Sequence, residues 1–362
     1  MAQFNAEVYL ISLLRSCMGD KLPDVPEYFD NKALFELAQF HSVANTAYYA
    51  LEKTNLLSEE QRKEWAEIRD RMLMSDILQQ TEYELLCETF SQNGIRFLPL
   101  KGILIKSLYP QSDFRSMSDI DILIDPDNAD KVKRIMLSLG YEIDSTEIGV
   151  HDVYHKKPAV SIEIHRELFG EEGEEFEPLF SDPWSKCEKH SETRYEFTDE
   201  YFFAFLLAHG IKHFQLGGTG IRTFMDIAIF RRHHKKLDIQ HIYEMFDSVG
   251  SRKICEDFIA LSDMWFGNGE ITEELQKMAQ YIIRGGTYGT YDNQVQYELQ
   301  SKSKAGYIFK KLFPTLKYMR QQYPILRKAP VLLPACYIIR ILTKPFINRK
   351  QNIAKLKGLA KK

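Results

Sequence analysis

Apolar positions recur at helical spacing through the first ninety residues. Val8, Ile11, Leu14 and Met18 form one stripe, closed near Gly19 and Asp20. Leu34, Leu37, Ala38 and His41 form a second, continued by Tyr48 to Leu56. Trp65, Ile68, Met72, Ile77, Tyr83, Leu86 and Phe90 predict one or two longer helices. After Gly94 the period changes. Ile95 to Leu100 is a short apolar run ending in a strand, and Ile103 to Leu108 a short helix closed by Tyr109-Pro110. Asp119 to Ile124 alternates polar and apolar and predicts a strand; 128–139 predicts a helix ending at Gly140, with a strand from Tyr141 to Ile143. Val150 to Tyr154 and Val160 to Leu168 predict two strands, hairpin-paired across Lys156-Lys157-Pro158. Helices return at 201–213, 221–233, 239–246 and 254–265.

This order predicts an α+β fold: a small mixed β-sheet flanked by N-terminal helices and a C-terminal helical region. The predicted units are an N-terminal helical region over 1–91, an α/β core over 92–195, a helical domain closing a cleft over 196–298, and a basic helical tail over 299–362.

Composition narrows the class. The 362 residues are 44% hydrophobic and 27% charged, with a mean hydropathy of −0.33. A disordered chain or a polytopic membrane protein is thereby excluded. Five dispersed cysteines without a C-x-x-C pair point to a reducing compartment rather than a disulfide framework or structural zinc. The start of the chain has no basic stretch followed by an apolar run, so a cytoplasmic protein is expected. The net charge of −4 conceals an asymmetry. Residues 299–362 contain no acid and 16 of the 47 Lys and Arg, so the remainder holds 31 cations against 51 acids. Three partners suit such a tail: an anionic membrane surface, which would make the protein peripheral to a membrane; nucleic acid; or the acidic body itself.

The chemistry concentrates in Arg115-Ser116-Met117-Ser118-Asp119-Ile120-Asp121. Side chains two apart on a strand share a face, so Asp119 and Asp121 project together while Ile120, Ile122 and Ile124 enter the core. Two carboxylates aimed into one space call for a cation, and Mg²⁺ is the hard, oxygen-seeking choice. In the later strand, Val160, Ile162 and Ile164 face the core and Glu163 and His165 face away. If that strand lies beside 119–124, Glu163 completes a three-carboxylate site for two Mg²⁺ ions, or Mn²⁺, able to support in-line displacement at a triphosphate. His165 reads equally as a pocket group or a satisfied structural histidine. The acids of 170–177 lack such spacing and read as a solvated loop.

Lys101-Gly102, Tyr109-Pro110, Arg115, the Ser118–Asp121 run and Glu163-Ile164-His165 together resemble the uncharacterised nucleotidyltransferase family of the DNA polymerase β superfamily, over roughly residues 5–235. The resemblance implies transfer of an NMP from an NTP to an acceptor. It makes Asp119 and Asp121 the metal-binding pair and Glu163 the third carboxylate, which would also help deprotonate the acceptor. Where the superfamily usually has Gly-Ser or Gly-Gly, this chain has Gly102-Ile103, with Asp119 following 17 residues after Gly102. Lys101, Gly102, Arg115 and Ser118 are the expected triphosphate contacts, the cations neutralising phosphate oxygens.

A second constellation is His209-Gly210-Ile211-Lys212-His213, then Arg222 and Asp226. The histidines have the spacing of a zinc pair, but Gly210 stands where a metalloprotease has glutamate. The resemblance implies instead that this helix faces the cleft, with Lys212 or His213 on the nucleotide or acceptor and Asp226 orienting one of them; a helix–helix polar contact is the plainer alternative. The expected activity is Mg²⁺-dependent nucleotidyl transfer to a hydroxyl, of a small molecule by preference because the acidic body would repel a polyanion. A non-catalytic nucleotide- or anion-binding module of the same fold, and an RNA- or tRNA-directed nucleotidyltransferase toxin, are the alternatives.

Overall fold

The computed structural model describes residues 4–19, 21–144, 150–170, 172–290, 293, 294, 297 and 312–347. The helices are α1 (Ala6–Cys17), α2 (Asn31–Phe40), α3 (Ala44–Leu51), α4 (Glu59–Gln92), α5 (Gly102–Ile105), α6 (Ala129–Ser138), α7 (Asp199–Gln215), α8 (Gly220–His233), α9 (Ile239–Asp247), α10 (Arg252–Phe266) and α11 (Glu273–Gly285), with Leu316–Gln322, Ile325–Lys328 and Leu333–Ile347 further on. The strands are β1 (Phe97–Pro99), β2 (Ile120–Ile124), β3 (Glu142–Ile143), β4 (His151–Lys156), β5 (Val160–His165), β6 (Cys187–Lys189) and β7 (Tyr195–Phe197). A five-stranded sheet has the order β1-β2-β5-β4-β3, with β2 and β5 parallel and the other pairs antiparallel; β6 and β7 form a separate ribbon. The α+β expectation holds.

Local chemistry sets the helix starts. Asn5 and Asp30 cap α1 and α2 by accepting from Val8 and Ala33 amides. Ser58 and Gln61 cap α4 reciprocally. This single helix covers 65–90, where one or two were expected. In the stripes along α1 and α4, Leu14, Met18, Trp65, Leu86 and Phe90 are buried as expected, and one position in each departs. In α1, Tyr9, Leu10, Leu13, Leu14 and Cys17 are buried and Val8 is exposed; in α4, Ile77 is exposed while Asp76 and Gln79 are buried. The physical reason in α4 is polar satisfaction. Asp76 pairs with Lys106 and accepts from Ser112 Oγ at 2.6 Å, and Gln79 Nε2 donates to the Met117 carbonyl at 3.0 Å. From α3, Asn45 and Thr46 donate to the carbonyls of Asp113 and Phe114 at 2.6 and 2.8 Å. The chain leading into β2 is therefore clamped on two sides.

One face of the large sheet, carrying Ile120, Ile122, Ile124, Val160, Ile162 and Ile164, packs on Leu86 and Phe90 of α4 and Val132 and Met136 of α6. A second core joins α1–α3 to α7, α8, α10 and α11, with Leu98, Leu100 and Leu123 reaching it from the sheet. α7 is apolar almost all round, with Phe202 to Ala208 buried, because it runs through this core. A cleft is left between the second sheet face and the α7–α8 pair.

Within the acidic segment, Phe176 is fully buried and anchors a 3₁₀ turn over Glu174–Leu179, with Glu172, Glu174 and Glu175 exposed; Glu171 lies outside the described residues. Of the tail, Tyr307, Phe309, Lys310 and Lys311 also lie outside them. No helix among the described residues is long and apolar enough to cross a membrane.

Candidate active site

The cleft has a volume of about 660 Å³. Asp119, Asp121, Glu163, His165, Lys101, Gly102, Arg115, Ser118, His209, Lys212, His213 and Asp226 all line it, so each candidate named from the sequence reaches one space.

The floor is the sheet. Asp121 stands directly opposite Glu163 across the parallel β2–β5 pair, and His151 opposite His165 across the β4–β5 hairpin. His165 Nε2 lies 2.9 Å from Asp121 Oδ1 and 3.3 Å from Glu163 Oε2; His151 Nε2 lies 3.8 Å from the same Glu163 oxygen. Lys101 Nζ donates to Asp121 Oδ1 at 2.8 Å. Burial acts against the Lys101 ammonium, but Asp121, Asp119 and Glu163 outweigh it and raise its pKa. Burial likewise works against ionised Asp121, yet Lys101 and His165 hold it far below the usual carboxylate range. For Asp119 the pull of Lys101 and Arg222 is outweighed. Among the described residues Asp119 makes no hydrogen bond or ion pair, and burial together with Asp121 pushes its carboxyl up to about 7.

Backbone geometry adds two constraints. Lys101 takes φ +48°, ψ −118° where β1 gives way to α5, a strained conformation for a residue with a Cβ. A Cβ on the next residue, Gly102, would meet Met117 Sδ at 2.5 Å, so any side chain there must displace the end of the methionine that packs over it.

The roof is α7 and α8. Asp226 accepts from Arg115 Nε at 2.8 Å and from Tyr109 Oη at 2.7 Å. It therefore orients Arg115, not Lys212 or His213 as the sequence suggested, because its carboxylate lies buried against the Tyr109–Arg115 segment. Arg222 Nη1 donates to the carbonyl and hydroxyl of Ser116 at 2.6 and 3.0 Å, and burial beside Arg115 lowers its pKa to about 10. His209 and His213 approach to 3.1 Å between Nε2 atoms, one donating to the other. Burial and neighbouring lysines drive His209 well below its ordinary value and His213 to about 3, so both rings stay neutral. Lys212 is lowered to about 8 by burial and by Lys101. Ser118 sits at the rim, its hydroxyl 3.1 Å from that of Tyr288.

The donor set suits a divalent ion. Asp119, Asp121 and Glu163 line the same cleft, and the proton-holding Asp119, without a hydrogen bond among the described residues, is a group whose ionised form a bound cation would stabilise. Among the described residues, the group of three whose ligand atoms lie within 4.8 Å of one another is His151, Glu163 and His165, a mixed imidazole–carboxylate set.

Sequence reasoning passed over His151, Tyr288, Thr287 and Tyr318 as cleft residues. For His151 a signal existed: counting back along the predicted hairpin sets it opposite His165. For the other three none did, because they arrive from distant segments.

No curated protein matches the chain. The profile of a family described as uncharacterised nucleotidyltransferase spans residues 27–267, from just before α2 to the end of α10, and takes in the whole sheet, α7 and α8. With two-thirds of its length covered, including every cleft residue up to Asp226, the chain belongs to the uncharacterised nucleotidyltransferase family.

Proposed function

We propose that this chain transfers an NMP from an NTP to a hydroxyl acceptor, with divalent metal ions as cofactors. Family membership gives nucleotidyl transfer in general; the metal and the acceptor class are inferences from the cleft. The observation that carries them is the convergence of Asp119, Asp121 and Glu163 on one cleft, with Asp121 and Glu163 sharing His165 Nε2.

Asp119, Asp121 and Glu163 would hold two Mg²⁺ or Mn²⁺ ions. Bound there, such ions polarise phosphoryl oxygens and stabilise charge on the departing pyrophosphate. The chain's own groups supply the rest. Arg222 and Lys212 line the cleft without a carboxylate contact among the described residues and offer their charge to triphosphate oxygens. Arg115, with Nε committed to Asp226 and Nη1 to the Ser116 carbonyl, shapes that wall more than it reaches. Glu163 is kept ionised, its pKa lowered by the hydrogen bond from His165 against the pull of burial. It would accept the acceptor's proton. His165, its pKa raised by Asp121 and Glu163 despite burial, bridges the two carboxylates.

The acceptor we favour is a small molecule. Outside residues 299–362 the chain carries 31 cations against 51 acids, a balance that disfavours approach of a polyanion.

The test is incubation of the full chain with α-labelled NTPs, Mg²⁺ or Mn²⁺, and sugars, tRNA or protein as acceptors. Pyrophosphate release and label transfer should appear with one acceptor class and fall at least about a hundredfold in Asp121→Asn and Glu163→Gln. Transfer at wild-type rate in both variants overturns the assignment; NTP binding without turnover under every condition supports the non-catalytic module instead.

A further inference from the structure

The helix Leu333–Ile347 is built inside out for a protein surface. Its inward face carries Cys336 and Arg340, 4% and 8% exposed, with Tyr337 half-buried between them. Ile338, Ile341 and Leu342, spaced i, i+3, i+4 on one face, are 60%, 36% and 65% exposed. Val331 and Leu332, in the 3₁₀ turn just before, are exposed too. A surface helix normally buries its aliphatic stripe and turns its arginine to water. Here Arg340 lies over the Tyr318 ring at 5.6 Å, and Tyr337 Oη donates to the Pro314 carbonyl at 2.6 Å. These contacts pin the polar face inward and leave the aliphatic face outermost.

We propose that this face docks in the headgroup region of an anionic phospholipid bilayer. Charge complementarity identifies the partner: residues 299–362 hold 16 Lys and Arg and no acid, whereas the rest of the chain is strongly acidic. The exposed residues choose lipid over nucleic acid. A strand-binding surface presents aromatic rings for stacking, but Tyr318 and Tyr337 are half-buried, Phe313 packs edge-on against Tyr337, and the outward residues of this helix and its preceding turn are Val, Ile and Leu. The helix lies on the bilayer rather than across it, since it has only 15 residues. Met319, Leu326 and Cys336 pack it to the helix Leu316–Gln322, whose Tyr318 lines the cleft. Docking therefore sets the mouth of the cleft beside the membrane.

The experiment is co-sedimentation of the full chain with vesicles of pure phosphatidylcholine and of phosphatidylcholine mixed with phosphatidylglycerol. Ile338→Ser/Leu342→Ser is run in parallel, its fold checked by circular dichroism. We expect about tenfold or greater preference for the anionic vesicles, weakened by salt, and loss of at least about tenfold in the double variant. Three results overturn the proposal: no preference between the vesicles, full binding by the folded double variant, or displacement from vesicles by equimolar single-stranded RNA. A dimer in buffer that the double variant dissolves overturns it as well, by assigning the face to a second copy of the chain.

Discussion

Asp119 and Asp121, two residues apart and lining the same cleft, are driven in opposite directions: the first holds its proton to about 7, the second is ionised far into acid. The difference lies in their partners. Asp121 is hydrogen-bonded to the Lys101 ammonium and His165, whereas for Asp119 burial and the like charge of Asp121 outweigh the pull of Lys101 and Arg222. A carboxyl raised from 3.8 to about 7 binds more protons folded than unfolded, so its stability contribution falls as pH climbs through that window. Asp119→Asn should therefore melt a few degrees higher than wild type at pH 8, with the gain vanishing near pH 4. Millimolar Mg²⁺ should raise the melting temperature of wild type and leave that of the variant unmoved. Thermal scans across pH, with and without the ion, decide it.

Lys212 carries a different pH signature. Burial and the nearby Lys101 ammonium bring its amine down to about 8, so at neutral pH it is charged and above 8 it is not. A charged amine is what a triphosphate needs, which makes NTP affinity fall as pH rises through 8. Lys212→Arg should keep affinity and flatten that fall, while Lys212→Met should weaken NTP binding at pH 7 by about tenfold and also flatten it. Nucleotide titrations at a series of pH values separate these outcomes.

Arg115 and Asp226 form a buried pair whose loss is costlier than its presence is beneficial. Asp226 accepts from Arg115 and from Tyr109, with both partners of the ion pair largely shielded. Removing only the carboxylate leaves Arg115 next to Arg222 without compensation. Asp226→Leu should cost on the order of 3 kcal/mol. Arg115→Met/Asp226→Leu should cost less than that single change, because no orphaned charge remains. Denaturant melts of the two variants supply the comparison.

What could be read from the sequence follows from range. The alternation in 119–124 and 160–165 is a local pattern, and it placed Asp119, Asp121, Glu163 and His165 on the correct face. In the stripes of α1 and α4 most positions are buried, and Val8 and Ile77 departed because burial is decided by distant partners. Asp76 and Gln79 are inside only because Lys106, Ser112 and Met117 are there to meet them, and no window around residue 76 contains that information. Asp226 shows the same limit: its partner Arg115 lies 111 residues away, and the neighbours that sequence offered, Lys212 and His213, were the wrong ones.

Gly210 was legible only as an absence, the glutamate missing between His209 and His213; in the fold it has a positive reason. A Cβ there would meet Thr223 Cγ2 at 2.6 Å and Phe258 Cε1 at 3.2 Å, where α7 crosses α8 and α10. Thr223 cannot swing aside freely, because its hydroxyl donates to the Thr219 carbonyl at 2.9 Å and pairs with the Thr219 hydroxyl at 2.8 Å. Two effects of Gly210→Ala then oppose each other. Alanine favours a helix by roughly 1 kcal/mol over glycine, whereas overpacking a fitted contact costs about 1–3 kcal/mol. The second wins, and the roof of the cleft must shift to relieve it. The variant should lose up to about 2 kcal/mol and bind NTP more weakly, since Gly210 and Thr223 both line the cleft. Gly210→Ala/Thr223→Ser removes the offending methyl and keeps the hydroxyl, and it should recover most of both losses. A double variant no better than the single one would show that the close approach of α7 to α8 does not depend on this contact.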